Sequence, residues 1–549
     1  MHKKIISALK IVFSVLALLL LASGQAFAIA PPLNDRNVPP IILNQPGGAE
    51  NLGRMVQKRA SVRSGYVNYS IGDGISVLLQ NYIKQTGEVK LIAILVEFSD
   101  VKMSAGGRER IAGIFDGFTS YFKEQSCGKM NVTCDISSKI YGLSNGLAYY
   151  GLDERSGSLV SDAVLASDAD IDFSKYQCVM IVHAGYGDET NPGADDTNDI
   201  WSRYWYQDSI ATGDSVTVNG ATIVPELEYE DVSPLGIMCH EFGHQLGLPD
   251  LYDTSYGTEG GIGFWGLMAT GAYNGTPKGT KPAMIDPWCR QKLNWIEYTV
   301  ITTAASNFEF ESGKLYRISG NQNQPQYDYF LVEKRARIPG TYDEGLPGEG
   351  LLIYHVNAAA ALETSLRPND SLPGLIQLLP ANGGNHLSSG PPRSKIRGLS
   401  TDPFPIAANR DFYYYSAPSS RTWGQLDSGV EIRNIQRISS GASLRLTADI
   451  NIGGVKMEYF NSASFLIPGA SLYAIVTAKP RFLVSGVPEL ELSAPPQAAK
   501  TYKMTLSGRN GVYYAIVKFD TPVSRANVKL TCARSDGGNA SSESFVFYY

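Results

Sequence analysis

The densest chemistry in this chain lies in eleven consecutive residues, His240-Glu241-Phe242-Gly243-His244-Gln245-Leu246-Gly247-Leu248-Pro249-Asp250. Two histidines spaced i and i+4 fall on one face of a helix, so both imidazoles can reach a single metal ion. Glu241 follows His240 and can touch a water at that ion without ligating it. Two neutral histidines and one carboxylate leave a fourth position open, as a catalytic zinc site requires. The chemistry this composes is metal-assisted hydrolysis, in which zinc is the Lewis acid and Glu241 takes the proton of the attacking water.

A bare H-E-x-x-H also occurs in helices with surface histidines or a structural metal, so the neighbours carry the discrimination. Ser233 and Pro234 read as N-cap and first helical residue. Leu235, Ile237, Met238, Phe242 and Leu246 supply an apolar face. Gly247 stands where a helix ends in a left-handed residue. The chain can then turn and bring Asp250 back as a third ligand. Glu259 is the other downstream carboxylate; it lies in the loop-forming Gly257-Thr258-Glu259-Gly260-Gly261 and ranks below Asp250, but the sequence does not decide between them. Further on, Met268 sits in a Gly-flanked stretch, Gly263-Phe264-Trp265-Gly266-Leu267-Met268-Ala269-Thr270-Gly271.

The elements that must position these residues fit an α+β chain. Residues 91–98 read as a buried strand, 111–124 as a helix, and 282–293 as another helix with Trp288 and Leu293 facing inward. The carboxylates Asp188, Glu189, Asp195, Asp196 and Asp199 share one Gly/Pro/Asn-containing loop. Such a loop is either a solvated acidic surface or a candidate Ca2+ site. Beyond residue 300, aromatic alternation takes over, with strands at 327–333 and 350–354. His355 closes one of them and carries no assigned role. Residues 388–405 read as a long loop. From Gly453 onward, short strands such as 471–476 and 511–517 suggest an immunoglobulin-like β-sandwich.

With these elements read, the chain resembles the M6 metallopeptidases, the immune inhibitor A family, whose helix runs H-E-F-G-H-x-L-G-L-P-D-L-Y-D. The same run continues here through Leu251-Tyr252-Asp253. Leu91-Ile92-Ala93-Ile94-Leu95-Val96-Glu97-Phe98-Ser99-Asp100, Val182-His183-Ala184-Gly185-Tyr186-Gly187, Asp199-Ile200-Trp201-Ser202 and Leu293-Asn294-Trp295-Ile296 also look like family positions. The resemblance extends over residues 90–450. It implies a zincin catalytic domain of metzincin type, protein or peptide substrates, His240, His244 and Asp250 as zinc ligands, and Glu241 as general base. It makes Met268 the structural Met-turn residue and Tyr273 the nearest candidate to steady the tetrahedral oxyanion.

The N-terminus carries Lys3 and Lys4, an apolar run from Ile11 to Ala22, and Ala26-Phe27-Ala28. That is a secretory signal peptide cut after Ala28, and it predicts a secreted, extracellular protein. No second run is long enough to span a bilayer. The expected organisation is thus a signal peptide (1–28), a propeptide or N-terminal arm (29–88), the catalytic domain (89–300), a β-rich region completing it (301–450) and the C-terminal sandwich (451–549), the last a candidate for contact with substrate, cell surface or matrix. A formal net charge of −6 without long Lys/Arg blocks argues against nucleic acid. Six cysteines are too few for a disulfide-built scaffold, although Cys127 and Cys134 are placed to close a hairpin. The rival reading is an adhesion or binding protein on a zincin scaffold with a structural metal. Glu241 weighs against it, because a structural site needs no base. Hydrolysis of a non-peptide amide is the third reading.

Overall fold

The computed structural model describes residues 25–28, 85–192, 199–254, 260–320, 327–363, 367–370, 373–388, 397–425, 427–452, 457–465, 472–480, 487–493, 498–507, 512–519, 525–533, 539–541 and 545–548. The long apolar run predicted as a buried strand is β2 (Gly87–Glu97). Leu91, Ala93 and Leu95 point into one core and Ile92, Ile94 and Val96 into another, so both faces are covered. A strand apolar on both faces belongs inside a parallel sheet, and β2 pairs in parallel with β3 (Met130–Ile136), β4 (Tyr141–Gly142) and β5 (Cys178–Tyr186). The sheet continues in parallel to β7 (Thr217–Leu227) and then antiparallel to β6 (Arg203–Ala211). Last comes β1 (Gln25–Ala28), giving the order β1-β6-β7-β5-β2-β3 with β4 on the end of β2.

Helices cover both faces. On one side, α1 (Gly107–Gln125) buries Ile111, Phe115, Phe118 and Phe122 against α3 (Pro234–Gln245). The Phe242 ring of α3 lies 5.1 Å from Phe118 and 4.8 Å from Phe122, both T-shaped. On the other side, α2 (Ser156–Ser167) buries Leu159, Val160, Ala163 and Val164. The helix expected over 282–293 is shorter, α4 (Pro287–Lys292). Asp286 caps it by accepting from the Cys289 amide at 3.0 Å, so the helix begins after that cap and not at Pro282. Trp288 and Leu293 are buried as expected.

One expectation meets the structure differently. Cys127 and Cys134 form no bridge. Cys127 ends the turn after α1, and Cys134 lies within β3, which pairs with β2 instead of folding back on the helix. Of the presumed signal peptide, residues 1–24 lie outside the described residues, while 25–28 form β1 on the sheet. Residues 29–84 of the presumed arm also lie outside the described residues. Among the described residues, no helix is long and apolar enough to cross a membrane.

The next strands are β8 (Tyr298–Ile301), β9 (Ala305–Phe310), β10 (Leu315–Ile318), β11 (Asp328–Arg335), β12 (Gly350–Asn357) and β13 (Ile376–Leu378). They are followed by β14 (Val430–Arg437) and β15 (Leu446–Ile452). They build a sheet of order β13-β12-β11-β10-β8 and a second of order β14-β15-β9. Alternation assigns the two faces of the larger sheet. Phe330, Val332, Leu351 and Ile353 pack with Phe310, Ile432 and Ile450 of the smaller one. Leu331, Leu352, Tyr354 and Val356 instead enter the core that holds α1 and α3.

A buried ionic network lies at this junction. Arg335 donates to both carboxylate oxygens of Asp343 and, at 3.0 Å, to Glu333. Arg290 of α4 reaches the other Glu333 oxygen at 2.6 Å. The Arg335 guanidinium also donates to the Trp265 carbonyl.

From residue 457 the chain forms two antiparallel sheets. One has the order β16 (Met457–Phe465), β17 (Leu472–Pro480), β21 (Val512–Phe519), β20 (Thr505–Ser507). The other has β19 (Lys500–Lys503), β18 (Glu489–Ser493), β22 (Arg525–Ala533), β23 (Asn539–Ser541), with β24 (Phe545–Tyr548) also on β22.

The ionic network yields a test of the shared core. Asp343→Ala leaves the Arg335 cation buried with less compensation, and losses of about 3–5 kcal/mol are typical of such changes. Urea unfolding followed by tryptophan fluorescence is expected to show a loss of that size. A loss below about 0.5 kcal/mol, the size seen for unremarkable surface changes, would mean the network does not hold the two regions together.

Candidate metal centre

Local sequence sets the path of α3. The Ser233 hydroxyl accepts from the Leu235 amide, and Pro234 occupies the first turn, where its missing N–H costs nothing. Every residue of the helix is buried. The helix ends at Gly247, whose φ of 93° lies in the left-handed region that favours glycine. Its amide donates to His244, and the next amide, of Leu248, donates to Gly243, which closes the last turn. The chain then reverses, and Asp250 returns beside the helix.

Three donor atoms meet there. The Nε2 atoms of His240 and His244 are 3.1 Å apart, and Asp250 Oδ1 lies 3.3 Å from the first and 3.2 Å from the second. Each imidazole is turned by its other nitrogen. His240 Nδ1 is 2.8 Å from the Leu267 carbonyl, and His244 Nδ1 is 2.8 Å from the Leu248 carbonyl. A carbonyl only accepts, so the proton sits on Nδ1 in both rings, and both Nε2 lone pairs face one point together with a carboxylate oxygen. These atoms repel one another unless a cation sits between them. Zinc bonds of ~2.0–2.1 Å at tetrahedral angles separate neighbouring ligand atoms by about 3.3–3.4 Å. The observed triangle is close to that size, so the residues present fit such an ion.

Electrostatics agree with the geometry. Burial keeps the His240 ring below the usual histidine pKa, which favours the neutral, ligating form. Glu241 is fully buried, and neither carboxylate oxygen has a hydrogen-bond partner in the protein. Burial raises its pKa well above the usual carboxylate range, and the charges of Asp250 and Glu189 add to this. The charge of Arg203, at the start of β6, opposes the rise. A buried carboxylate left unpaired by the protein is expected where it must act on something that is not protein.

Met268 lies directly beneath the helix. A Cβ at Gly243 would stand 2.5 Å from its sulfur, so the side chain packs where only glycine leaves room. The Met268 carbonyl accepts from the Leu251 amide at 2.7 Å, which holds the segment carrying Asp250. Tyr273 ends the one-turn helix Thr270–Tyr273 and is buried. That turn packs at Ala272 against Gly236, one helical turn before His240. Glu259 lies outside the described residues.

Of the acidic loop, Asp195 and Asp196 also lie outside the described residues. Asp199 accepts from Asn191 and Tyr229, and Glu189 from the Ser202 amide. Among the described residues, His240, His244 and Asp250 are the His/Cys/Asp/Glu group spaced to hold a metal ion, and nothing there supports calcium. Sequence reasoning missed the orienting carbonyls of Leu267 and Leu248, and Arg203 and Glu189 beside Glu241. A backbone carbonyl leaves no mark in residue identity, and the other two reach the helix only through the sheet.

Residues 167–297, which contain the whole centre, match the model of the immune inhibitor A peptidase M6 catalytic domain. The chain is 25% identical over 297 residues to pre-pro-metalloprotease PrtV of Vibrio cholerae serotype O1, in strains M66-2 and ATCC 39315, across 46% of this chain and 32% of that protein. It is 29% identical over 239 residues to immune inhibitor A of Bacillus thuringiensis subsp. alesti, across 36% of this chain and 34% of that one. The chain thus spans about a third of the length of these curated relatives. A solved structure, the Br derivative of BhCBM56, matches 16% of the chain at 15% identity with a TM-score of 0.12, which is too low to bear on the fold. The family match falls on the segment that builds the triad, so over that segment the chain is similar to the M6 metallopeptidases.

Proposed function

We propose that this chain is a secreted zinc-dependent endopeptidase that hydrolyses peptide bonds of proteins, with a zincin catalytic domain and a C-terminal β-sandwich. The observation that carries this reading is the triangle of His240, His244 and Asp250 with the unpaired Glu241 carboxylate on the same helix. His240, His244 and Asp250 would hold the ion, and zinc bound there would supply a Lewis acid for the scissile carbonyl and the attacking water.

The protein's own residues do the rest. The carbonyls of Leu267 and Leu248 hold both imidazoles in the ligating tautomer. Glu241 takes the proton of the attacking water on a carboxylate oxygen and passes it to the leaving amide nitrogen. Neither of its oxygens has a hydrogen-bond partner in the protein, which leaves both available for the transfer. An extended substrate would lie along the edge of the catalytic sheet. Tyr273 is retained as the candidate to steady the oxyanion. PrtV is named a pre-pro-metalloprotease; the same arrangement of leader and pro-segment is proposed here for residues 1–28 and 29–88. The adhesion reading gains no observation, because a purely structural metal leaves the buried Glu241 carboxylate without a purpose.

Two outcomes are expected. Glu241→Ala should retain its metal and its unfolding midpoint while losing at least about 10³-fold in casein cleavage, the upper range for removing a general base. A clean preparation with full activity would sink the mechanism. Gly243→Val places a branched side chain where Met268 sulfur now lies. Metal content by plasma mass spectrometry after dialysis should then fall below half of the parent's, and an unchanged content would remove Met268 from the support of the site.

A further inference from the structure

His240 and His244 stand on a helix, but Asp250 belongs to no helix or strand. The chain after Gly247 is irregular, and a metal ligand on it must still be held to a fraction of an ångström. The grip on this loop comes from residues 367–370, in the connection between β12 and β13. Asn369, 118 residues beyond Leu251, is only 2% exposed. Its Nδ2 donates to the carbonyls of Leu251 at 3.0 Å, Gly260 at 2.5 Å and Ile376 at 3.0 Å. Its Oδ1 accepts from the Ile376 amide at 3.3 Å. Carbonyls on one side and an N–H on the other fix which way this amide points. Gly261, with φ 133°, leaves room for it, since a Cβ there would stand 3.0 Å from Nδ2. Asp370 accepts from the Thr254 amide at 2.7 Å and from the Thr254 hydroxyl. The connection is itself stitched to the sheet. The Pro368 carbonyl accepts from the Leu375 amide at 3.0 Å, and the Leu375 carbonyl from the amide of Asn357, the last residue of β12, at 2.8 Å.

Leu251 follows Asp250 directly, and its two backbone groups are both tied. Its N–H goes to the Met268 carbonyl and its C=O to Asn369. These bonds fix the peptide planes on either side of Leu251, the first of which begins at the Asp250 carbonyl. The backbone that carries the Asp250 carboxylate therefore has a single orientation. We propose that Asn369 and Asp370 are positioning residues for the third metal ligand, so that the centre is complete only while residues 367–370 grip the loop after Asp250. The inference rests on the metal-centre reading of the triad. Both residues act through the backbone of residues 251–254. Grip and metal binding are then linked in both directions: an ion that draws on Asp250 favours the gripped loop, and the gripped loop raises the affinity for the ion. Partners that orient a ligand from behind are worth about 10–100-fold in metal affinity, which sets the size of the effect.

The test measures the zinc affinity of the full chain by competition with a chelating dye, with the zinc ion alone as the probe. Asn369→Leu keeps the size of the side chain and removes its hydrogen bonds. Zinc affinity is expected to fall about 10–100-fold. Leu159→Ala, in the core on the opposite face of the catalytic sheet, is the control for lost stability and should bind zinc like the parent. The reciprocal measurement uses the parent chain. Amide exchange at Thr254 and Ile376, whose N–H groups donate to Asp370 and Asn369, should slow about tenfold on zinc loading. An Asn369→Leu chain that binds zinc as tightly as the parent, a Leu159→Ala chain that loses as much affinity, or amides indifferent to zinc would each overturn the proposal. If Asn369→Leu does not fold, Asp370→Ala is judged by the same affinity measurement. A parent chain that binds no zinc would instead refute the metal-centre reading itself, and the proposal with it.

Discussion

Three electron-rich atoms held within about 3.3 Å of one another, inside a protein, are the constraint on which the rest of this structure turns. Without a cation the arrangement is unfavourable, since two imidazole lone pairs and a carboxylate oxygen face one point and exclude bulk water from their screening. The fold has to hold them there. It does so with backbone carbonyls behind each imidazole, a glycine-terminated helix that forces the chain back on itself, and a thioether packed where a glycine has no side chain. Each device is a matter of steric room or hydrogen-bond direction, and each lies within one turn of the donors.

The support reaches further than the helix. The aromatic contacts of Phe242 with α1 fix α3 on the sheet, and the sheet brings the charge of Arg203 to Glu241. The turn that presents the Leu267 carbonyl and Met268 is held from the opposite side, where Arg335 meets the Trp265 carbonyl within the ionic network of Glu333, Asp343 and Arg290. A buried network of this kind contributes little net stability compared with an apolar core, but it fixes geometry, because removing any one partner strands a charge. The β-rich region thus acts as the floor of the centre, and one continuous apolar core runs from α1 through α3 to β12.

Much of this was legible in the residues, for reasons that differ by element. The helix was readable because its cap, its apolar period and its Gly247 stop all lie within a dozen positions. Asp250 was readable because a left-handed stop returns the chain over a short distance. β2 was readable because a strand buried on both faces has a continuous apolar run. What was not legible depends on distant partners. The α4 start is decided by the Asp286 cap and not by Pro282. The expected Cys127–Cys134 bridge fails because β3 is drawn into the sheet beside β2. The placement of Ala26-Phe27-Ala28 along β6 had no local signal, and those residues read as a cleavage box. The orienting carbonyls are invisible in principle, because every residue has one.

The account rests most heavily on Asp250 completing the metal site, and anomalous scattering at the zinc edge from crystals of the zinc-loaded chain tests it directly. It predicts one strong peak within ~2.0–2.2 Å of His240 Nε2, His244 Nε2 and an Asp250 carboxylate oxygen. A peak bound by the two histidines with Asp250 beyond bonding distance and Glu259 in its place would contradict it.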